Sequence, residues 1–363
     1  NRVDGFHLGG SYDRNISGFE MEGRVAFNTN TEFWDYGGRL ERNLVRERNF
    51  RLKVSGGYFV DSRSRYSSNI YPEVLNTITA FFGARDYFDY YRSERFLAGF
   101  ETEINSLDLV SKVHFITDYQ KSVDRPEVFD YSLFGFHADR RNNPTISDGT
   151  KRSLQVELGF NTDDYNFGFT GRRQVILAME HSADWLGSDF GFTTLGAEVD
   201  YNFNTFFPRR FFSNTLDIRL AAGTAFGKVP HQEFGAVDGS IASFTPFGTI
   251  KTLRHLPYEG DEYWVVNAEH NFRSVPFEWL GLWDLADRGL SLIAFAGAAE
   301  SRIRTKSQRD FGQDFGFAPR VSDGVHYEAG ISLNNIFSIA RLDFAKRLDA
   351  SGFFIGFSVP RIF

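Results

Sequence analysis

The chain has 363 residues and a net charge of −7, with 41 Phe, 15 Tyr, 34 Gly and no Cys. The acidic balance, without a basic stripe, argues against a nucleic-acid partner, and charged residues interrupt every apolar run before it reaches the length of a membrane-spanning helix. Many aromatic residues and Gly, combined with a mean hydropathy of −0.33, are typical of strands that face lipid on one side and water on the other.

Alternation of apolar and polar residues recurs along the whole chain and predicts strands. In segment 50–60, for example, Phe50 and Leu52 share one face while Arg51 and Lys53 share the other. A soluble β-sandwich would alternate in the same way, but its strands run about five or six residues, whereas these run about ten to twelve, the length of a tilted membrane strand. The sequence therefore predicts an all-β fold, an antiparallel transmembrane β-barrel that occupies residues 1–363 as one domain. The predicted strands are 1–12, 18–28, 32–43, 49–61, 93–104, 107–120, 151–160, 172–183, 190–203, 214–227, 261–273, 289–302, 324–334, 338–348 and 352–363.

The lengths of the connections predict how the barrel lies in the membrane. If the C-terminus is periplasmic, the long connections 62–92, 121–150, 228–260 and 303–323 all lie on the outer side, and shorter connections lie on the inner side. Long outside and short inside is the rule for outer-membrane barrels. Fifteen strands are counted, whereas such barrels usually have an even number. We therefore expect sixteen strands in all, with the first strand and any periplasmic domains upstream of Asn1.

The last segment, 352–363, has the character of a closing strand. A barrel closes by pairing its last strand with its first, which leaves no unpaired edge in lipid. We expect this segment to pair with 338–348 on one side and with the first strand of the chain on the other. The apolar face of the closing strand consists of Phe353, Ile355, Phe357, Val359 and Phe363.

Two connections have patterns of their own. Segment 71–84 has Pro near its start and apolar spacing that allows either a short helix or a loop packed on itself. Segment 274–288 places Trp279 and Trp283 on the periplasmic side, where they suit the aromatic belt at a membrane interface.

Two segments resemble a known family. The first spans residues 253–272 and begins Leu-Arg-His-Leu, and the second spans 339–348 and leads into the terminal strand. Together they resemble the bacterial surface antigen, or BamA-like, superfamily of sixteen-stranded outer-membrane barrels. The chain looks most similar to a Bacteroidota outer-membrane family of unknown function whose long members carry a carboxypeptidase-like regulatory domain ahead of the barrel. The resemblance implies a place in the outer membrane of a Gram-negative bacterium, with outer-membrane lipid as one partner.

The resemblance also implies a site inside the barrel. In this superfamily, a loop between strands eleven and twelve folds into the lumen, and its arginine pairs with acids on strands twelve and thirteen. Loop 228–260 is therefore expected to fold inward, with Arg254 paired to Glu269. Three positions depart from the family pattern, since His255 replaces a glycine, Leu256 replaces the aromatic residue, and Gly297 lies where the strand-thirteen aspartate would be. Because a buried charge requires a counter-charge, an inward Arg254 needs an acid such as Glu269. With this pair, Arg254 could anchor the loop or take part in substrate handling.

No catalytic or metal-binding motif is present in the sequence. The eight His residues are scattered without His-Glu-x-x-His spacing, and neither Gly-x-Ser-x-Gly nor a phosphate-binding Gly loop occurs. We therefore predict neither enzymatic activity nor a metal or other cofactor. The inward charges of the strands mix signs, which favours cross-strand ion pairs over an ion-selective ring.

Three functions are compatible with such a barrel. The first is protein assembly or translocation at the outer membrane, in which a client strand pairs with an exposed edge where the first and last strands meet. The second is a structural barrel that anchors a periplasmic or surface protein complex, and the third is a passive pore. Paired lumen charges and an inward loop make a wide aqueous channel the least favoured of the three.

Overall fold

In the described residues, fifteen strands form one antiparallel sheet that follows the order of the chain. The computed structural model describes residues 1–66, 70–71, 73–83, 86–123, 132–133, 141–162, 173–206, 213–304, 314–315 and 318–361. The first ten strands are β1 (His7–Ile16), β2 (Phe19–Asn28), β3 (Trp34–Arg46), β4 (Phe50–Ser64), β5 (Tyr90–Ile104), β6 (Leu109–Ser122), β7 (Gly149–Phe160), β8 (Arg173–Ser182), β9 (Phe192–Asn204) and β10 (Thr215–Gly227).

A long connection with four short strands separates the first ten strands from the last five. The short strands are β11 (Gly235–Val237), β12 (Gly239–Ser240), β13 (Ile250–Arg254) and β14 (Tyr258–Gly260). The large sheet resumes with β15 (Glu262–Arg273), β16 (Ser291–Arg302), β17 (His326–Ile336), β18 (Ala340–Arg347) and β19 (Phe353–Ser358). All fifteen strands predicted from alternation are present in the large sheet, so the prediction of an antiparallel all-β fold is confirmed.

The four longest connections between strands of the large sheet, 65–89, 123–148, 228–261 and 303–325, begin and end at the same end of the sheet. The β1–β2 turn consists of Ser17 and Gly18, both with positive φ (53° and 82°), as in the two-residue turns that match the twist of a hairpin. We call this end of the barrel the short-turn end, and the opposite end the long-loop end. The connection between β10 and β15, residues 228–261, begins at the long-loop end, and we call it the inner loop.

The sheet has an apolar outer face and a polar inner face. On the outer face, Val54, Phe96 and Phe100 are exposed over 40%, 47% and 47% of their surfaces. On the inner face, polar residues such as Ser55 and Asn267 are buried. This arrangement is the reverse of a soluble protein and follows directly from the alternation in the sequence, because neighbouring residues of a strand point to opposite faces.

The N-terminal residues differ from the prediction. Residues 1–5 form a turn, whereas strand 1–12 was expected to begin at Asn1, and β1 starts only at His7. The reason is that Arg2 is buried at the long-loop end, where its guanidinium donates hydrogen bonds to the carbonyl of Phe88 and, at 2.6 Å, to the carboxylate of Asp89. A tertiary ion pair therefore outweighs the strand pattern.

The terminal strand is shorter than predicted. It ends at Ser358, so that Val359 lies beyond the strand, and the predicted closing residue Phe363 lies outside the described residues. Pro360 has no N–H group to donate to a strand ladder, which accounts for an early end. The pairing of this strand with the segment before it is as predicted, from Lys346 opposite Phe353 to Arg341 opposite Ser358.

Short helices lie in the connections that the structure describes. They are α1 (Glu73–Phe81), α2 (Val275–Trp279) and α3 (Trp283–Asp287), and single 3₁₀ turns occur at Asn105–Leu107, Asp184–Leu186 and His231–Glu233. Within the ranges that the structure describes, none of the helices is long and apolar enough to cross a membrane. The side chains of Trp279 and Trp283 are exposed at the short-turn end of the barrel.

Candidate functional site

The inner loop lies against the inner wall of the barrel. Within it, β11 pairs with β14 and β12 pairs with β13. Its side chains Val237, Ile250 and Leu253 are buried and pack against Val265 of β15 and Ala299 of β16. Apolar packing thus attaches the loop to a wall that is otherwise polar.

A buried cluster of four charges lies beneath the loop. Arg341 of β18 donates two hydrogen bonds to Glu269 of β15, both at 2.7 Å, and one to Asp343 at 2.7 Å. Lys251 of the inner loop approaches the same acids, with its Nζ atom 3.1 Å from Glu269 and 3.9 Å from Asp343. The site is closed to solvent, and its two cations balance its two acids. This balance is expected because burying an unpaired charge is costly.

The predicted pairing of Arg254 with Glu269 is not what the structure shows. Arg254 is exposed, its guanidinium lies 4.8 Å from the centre of the Phe354 ring, and it donates a hydrogen bond of 3.2 Å to the carbonyl oxygen of Phe353. Glu269 is inward and ion-paired as expected, but its partners are Arg341 and Lys251. Only β16 and β17 separate β15 from β18, and the curl of the sheet brings Arg341 within reach of Glu269, a proximity that strand periodicity alone does not reveal.

A second attachment holds the loop to β17. The carboxylate of Glu328 accepts hydrogen bonds from the backbone amides of Lys251 (2.8 Å) and Thr252 (2.7 Å) and from the Thr252 hydroxyl (2.7 Å). His326 bridges the hydroxyls of Thr252 (2.7 Å) and Tyr258 (2.9 Å) through its two ring nitrogens. These contacts fix β13 and β14 relative to the wall. The sequence offered no signal for them.

Ion pairs also join loops at the long-loop end. Asp89 accepts hydrogen bonds from Arg2 (2.6 Å) and Arg65 (2.9 Å) and forms an ion pair with Arg141, while Arg65 pairs with Glu259 of the inner loop at 2.7 Å. Burial by itself would raise the pKa of Asp89, but the three guanidiniums hold that pKa well below its usual range. The N-terminal turn, the β4–β5 connection and the inner loop are thereby held together.

A buried and mostly aromatic cluster contacts these ion pairs, since the Arg65 guanidinium lies 5.6 Å from the centre of the Tyr66 ring. The Tyr71 hydroxyl donates a hydrogen bond to the Gly239 carbonyl oxygen (2.8 Å), and the Tyr87 hydroxyl donates one to Asp238 (2.9 Å). Its buried members are Val3, Tyr66, Ile70, Tyr71, Tyr87, Phe88, Tyr90, Val123 and Ile241. The cluster therefore joins the turn before β1 to the inner loop.

The first and last strands of the sheet each have one unpaired side. In the described residues, β1 pairs with β2 alone, and β19 pairs with β18 alone among the strands of the large sheet. Because fifteen antiparallel strands follow one another in chain order, β1 and β19 run in the same direction. We call the space between these two strands the seam.

The predicted closing residues take the expected faces within β19. Phe353, Ile355 and Phe357 are exposed on the outer face by 58%, 53% and 48%, and the intervening side chains are buried on the inner face. The pairing with β18 is present, whereas the sheet does not continue from β19 to β1 in the described residues. A metal centre is not apparent either, since no group of three or more metal-ligating side chains occurs in the part of the chain that the structure describes.

Comparisons with known proteins give likeness at the level of solved structures alone. No protein-family model and no curated protein matches the chain. BamA from Haemophilus ducreyi, lacking POTRA domains 1–3, is similar at 14% identity and a TM-score of 0.49, over 98% of this chain and 70% of BamA. CdiB from Acinetobacter baumannii is similar at 9% identity and a TM-score of 0.44, over 96% of this chain and 55% of CdiB, so the chain spans about half of that protein. By the fifteen-stranded sheet of its own described residues, the chain is an all-β antiparallel barrel protein.

Proposed function

We propose that the chain is a BamA-like barrel of the Gram-negative outer membrane that assists protein assembly or translocation by accepting an extended strand at its seam. The observation that carries the proposal is the pair of strand edges, β1 and β19, that the sheet leaves without a strand partner in the described residues. The proposed role is non-enzymatic, and its partners are lipid and periplasmic or surface proteins.

The edge of β1 is suited to strand addition. Thr29 donates a backbone hydrogen bond to the Phe6 carbonyl, just before β1 begins. Because backbone groups alternate in direction along an antiparallel strand, those of the even-numbered residues of β1 point to β2. Those of the odd-numbered residues, including Gly9, Ser11 and Asp13, therefore point into the seam. A row of such groups binds an extended segment through main-chain hydrogen bonds.

The outer surface supports lipid as the surrounding medium. Large apolar side chains are exposed on strands across the barrel, and a soluble protein would not expose so extensive an apolar band. Examples from well-separated strands are Leu8, Val25, Leu40, Phe96, Leu177, Leu195, Leu220 and Ile331. Along a membrane barrel this band faces the acyl chains.

A structural barrel that anchors other proteins is the second candidate. The observation that favours it is the firm attachment of the inner loop, since Lys251 contacts Glu269 of the charge cluster and Glu328 binds the backbone of β13. The same contacts disfavour a wide passive pore. An anchoring barrel has no need of a reactive seam, so blocking the edge of β1 distinguishes the two candidates.

The test blocks one hydrogen-bond donor of that edge. Ser11→Pro removes an N–H group that points into the seam while leaving the bonds from β1 to β2, and proline is tolerated at such an edge position. The full chain is reconstituted in liposomes, and the folding rate of a urea-denatured outer-membrane barrel is followed by its heat-modifiable mobility on gels. We expect wild type and the control Ser11→Ala to accelerate client folding equally, and Ser11→Pro to lose most of that acceleration. Equal rates for wild type and empty liposomes, or for wild type and Ser11→Pro, would exclude the assembly role.

A further inference from the structure

The free edge of β19 differs from that of β1 because the inner loop covers part of it. Arg347 donates its backbone N–H to the Gly352 carbonyl. In an antiparallel ladder, the backbone N–H and C=O groups of the even-numbered residues of β19 therefore point to β18, and those of the odd-numbered residues point into the seam. At Phe357, both seam-facing groups are occupied. The Phe357 amide donates to the Ser243 carbonyl at 2.8 Å, and the Thr245 amide donates to the Phe357 carbonyl at 2.8 Å.

The segment 243–245 thus pairs with β19 as a short parallel strand would. Phe244 and Phe357 form a parallel β-bridge, and their ring centres are 5.9 Å apart. Arg254, at the end of β13, supplies one more hydrogen bond, to the seam-facing carbonyl of Phe353 at 3.2 Å. Two parts of the inner loop therefore contact the edge of the last strand.

This segment is tethered to the charge cluster. The Thr245 hydroxyl donates to Asp343 at 2.5 Å, and Lys251 donates to the Thr245 carbonyl at 3.1 Å. On its other side, Ala242 and Ser243 have φ angles of 49° and 67°, in the left-handed region that residues other than glycine rarely adopt. The segment is held in place by polar contacts and has a strained backbone where it joins the rest of the loop.

The direction of the strands defines what could replace the segment. Since β1 and β19 run in the same direction, a single strand between them must run opposite to both, and antiparallel pairs are slightly the more stable kind. The seam-facing residues of β19 are Phe353, Ile355 and Phe357, and with one donor and one acceptor each they could make about six backbone hydrogen bonds. The parallel segment makes two at Phe357.

We propose that Ser243–Thr245 is an internal edge cap, which covers β19 until an incoming strand, antiparallel to β19 and apolar on its outer face, displaces it. This inference rests on the proposed function, because it concerns strand addition at the same seam. It adds that the two edges are not equivalent: β1 accepts a strand directly, and β19 does so only after the cap leaves.

A disulfide can hold the cap in place. The chain has no Cys, so the double variant Phe244→Cys/Phe357→Cys carries a single possible disulfide, between the two residues of the bridge. Paired positions on neighbouring strands lie within the Cα separation that a disulfide spans. The oxidised and reduced forms of this variant have the same sequence and differ only in the freedom of the cap, and each single-Cys variant controls for oxidation itself.

Two fluorescent peptides serve as probes in detergent solution of the full chain. One copies residues 340–347, the natural antiparallel partner of β19, and the other copies residues 19–28, the natural antiparallel partner of β1. We expect the 340–347 peptide to bind the reduced variant at least tenfold more tightly than the oxidised one. The 19–28 peptide should bind both forms equally, because no strand or bridge within the described residues covers the seam side of β1.

The outcomes separate the cap from the proposed function. Suppose that the 19–28 peptide binds, and that the 340–347 peptide either binds both redox forms equally or binds neither form. The cap then does not control the edge of β19, and the inference is wrong while strand addition at β1 stands. If neither peptide binds either form, the seam does not accept strands, and the proposed function fails together with the inference. Peptide affinity that changes on oxidation of a single-Cys variant would also overturn the inference.

Discussion

Replacing Arg341 by Ala tests the buried cluster that supports the inner loop. The Arg341 side chain has no exposed surface and donates four hydrogen bonds, two to Glu269 (both 2.7 Å), one to Asp343 (2.7 Å) and one to Ser332 (3.0 Å). The substitution removes them all and leaves two buried acids with Lys251 as the remaining cation of the cluster.

The expected loss can be estimated from these contacts. Removing one partner of a buried ion pair costs about 3–5 kcal/mol, because the other partner stays buried and uncompensated. Lys251 remains 3.1 Å from Glu269, which places the estimate for Arg341→Ala at the lower end, about 3 kcal/mol, or roughly a hundredfold in the folding equilibrium. Arg341→Lys should recover little, since an ammonium cannot make the bidentate contact with Glu269.

Urea titration of the protein in liposomes, read by heat-modifiable mobility on gels, measures the free energy of unfolding. The matched control is Lys112→Ala, which breaks the Lys112–Glu157 pair at 2.9 Å, where both side chains are more than one-third exposed. Solvent screening should keep that loss below about 1 kcal/mol. In a double-mutant cycle, Arg341→Ala with Glu269→Ala should lose less than the sum of the two single changes. An Arg341→Ala loss no larger than that of Lys112→Ala would refute the reasoning.

Three further outcomes are expected. Thr245→Val should destabilise the protein by about 1–3 kcal/mol, because Asp343 loses a buried hydroxyl donor; an unchanged urea midpoint would contradict this. Burial lowers the pKa of His231 to about 3 in the folded protein. Between about pH 6.5 and pH 3, the unfolded chain therefore binds more protons at this residue than the folded chain does, and the free energy of unfolding should fall as the pH drops through this range. His231→Gln should remove that part of the pH dependence in urea titrations at several pH values, and parallel curves for the two proteins would argue against it. In single-Trp variants in liposomes, lipids brominated near the headgroup should quench the fluorescence of Trp279 and Trp283 more than lipids brominated at the chain end. Fluorescence quenched by aqueous iodide alone would place these two side chains outside the membrane.

The sequence was sufficient for the strands and their faces. Alternation is a local property, since each residue of a strand points opposite to its neighbour, and a barrel in lipid turns one face outward along every strand. Phe96 and Phe100 could therefore be assigned to the outer face from spacing alone, and their exposure agrees with that assignment. Antiparallel order followed as well, because short connections pair consecutive strands.

Contacts between distant segments needed the tertiary structure. Glu269 could be assigned to the inner face from the sequence, but its partner is 72 residues away in Arg341, and the curl of the sheet decides which inward cation reaches it. The family resemblance placed Arg254 there, and the structure places Arg254 against the last strand.

The ends of the sheet show the same division. The pattern of residues 1–12 is that of a strand, yet the ion pair of Arg2 with Asp89 holds the first five residues in a turn at the long-loop end. The alternation of the terminal strand gives no sign that Phe357 pairs with Ser243–Thr245 of a loop more than a hundred residues earlier in the chain. Strand faces follow from local geometry, whereas edge contacts and buried ion pairs depend on how the whole sheet closes around its loop.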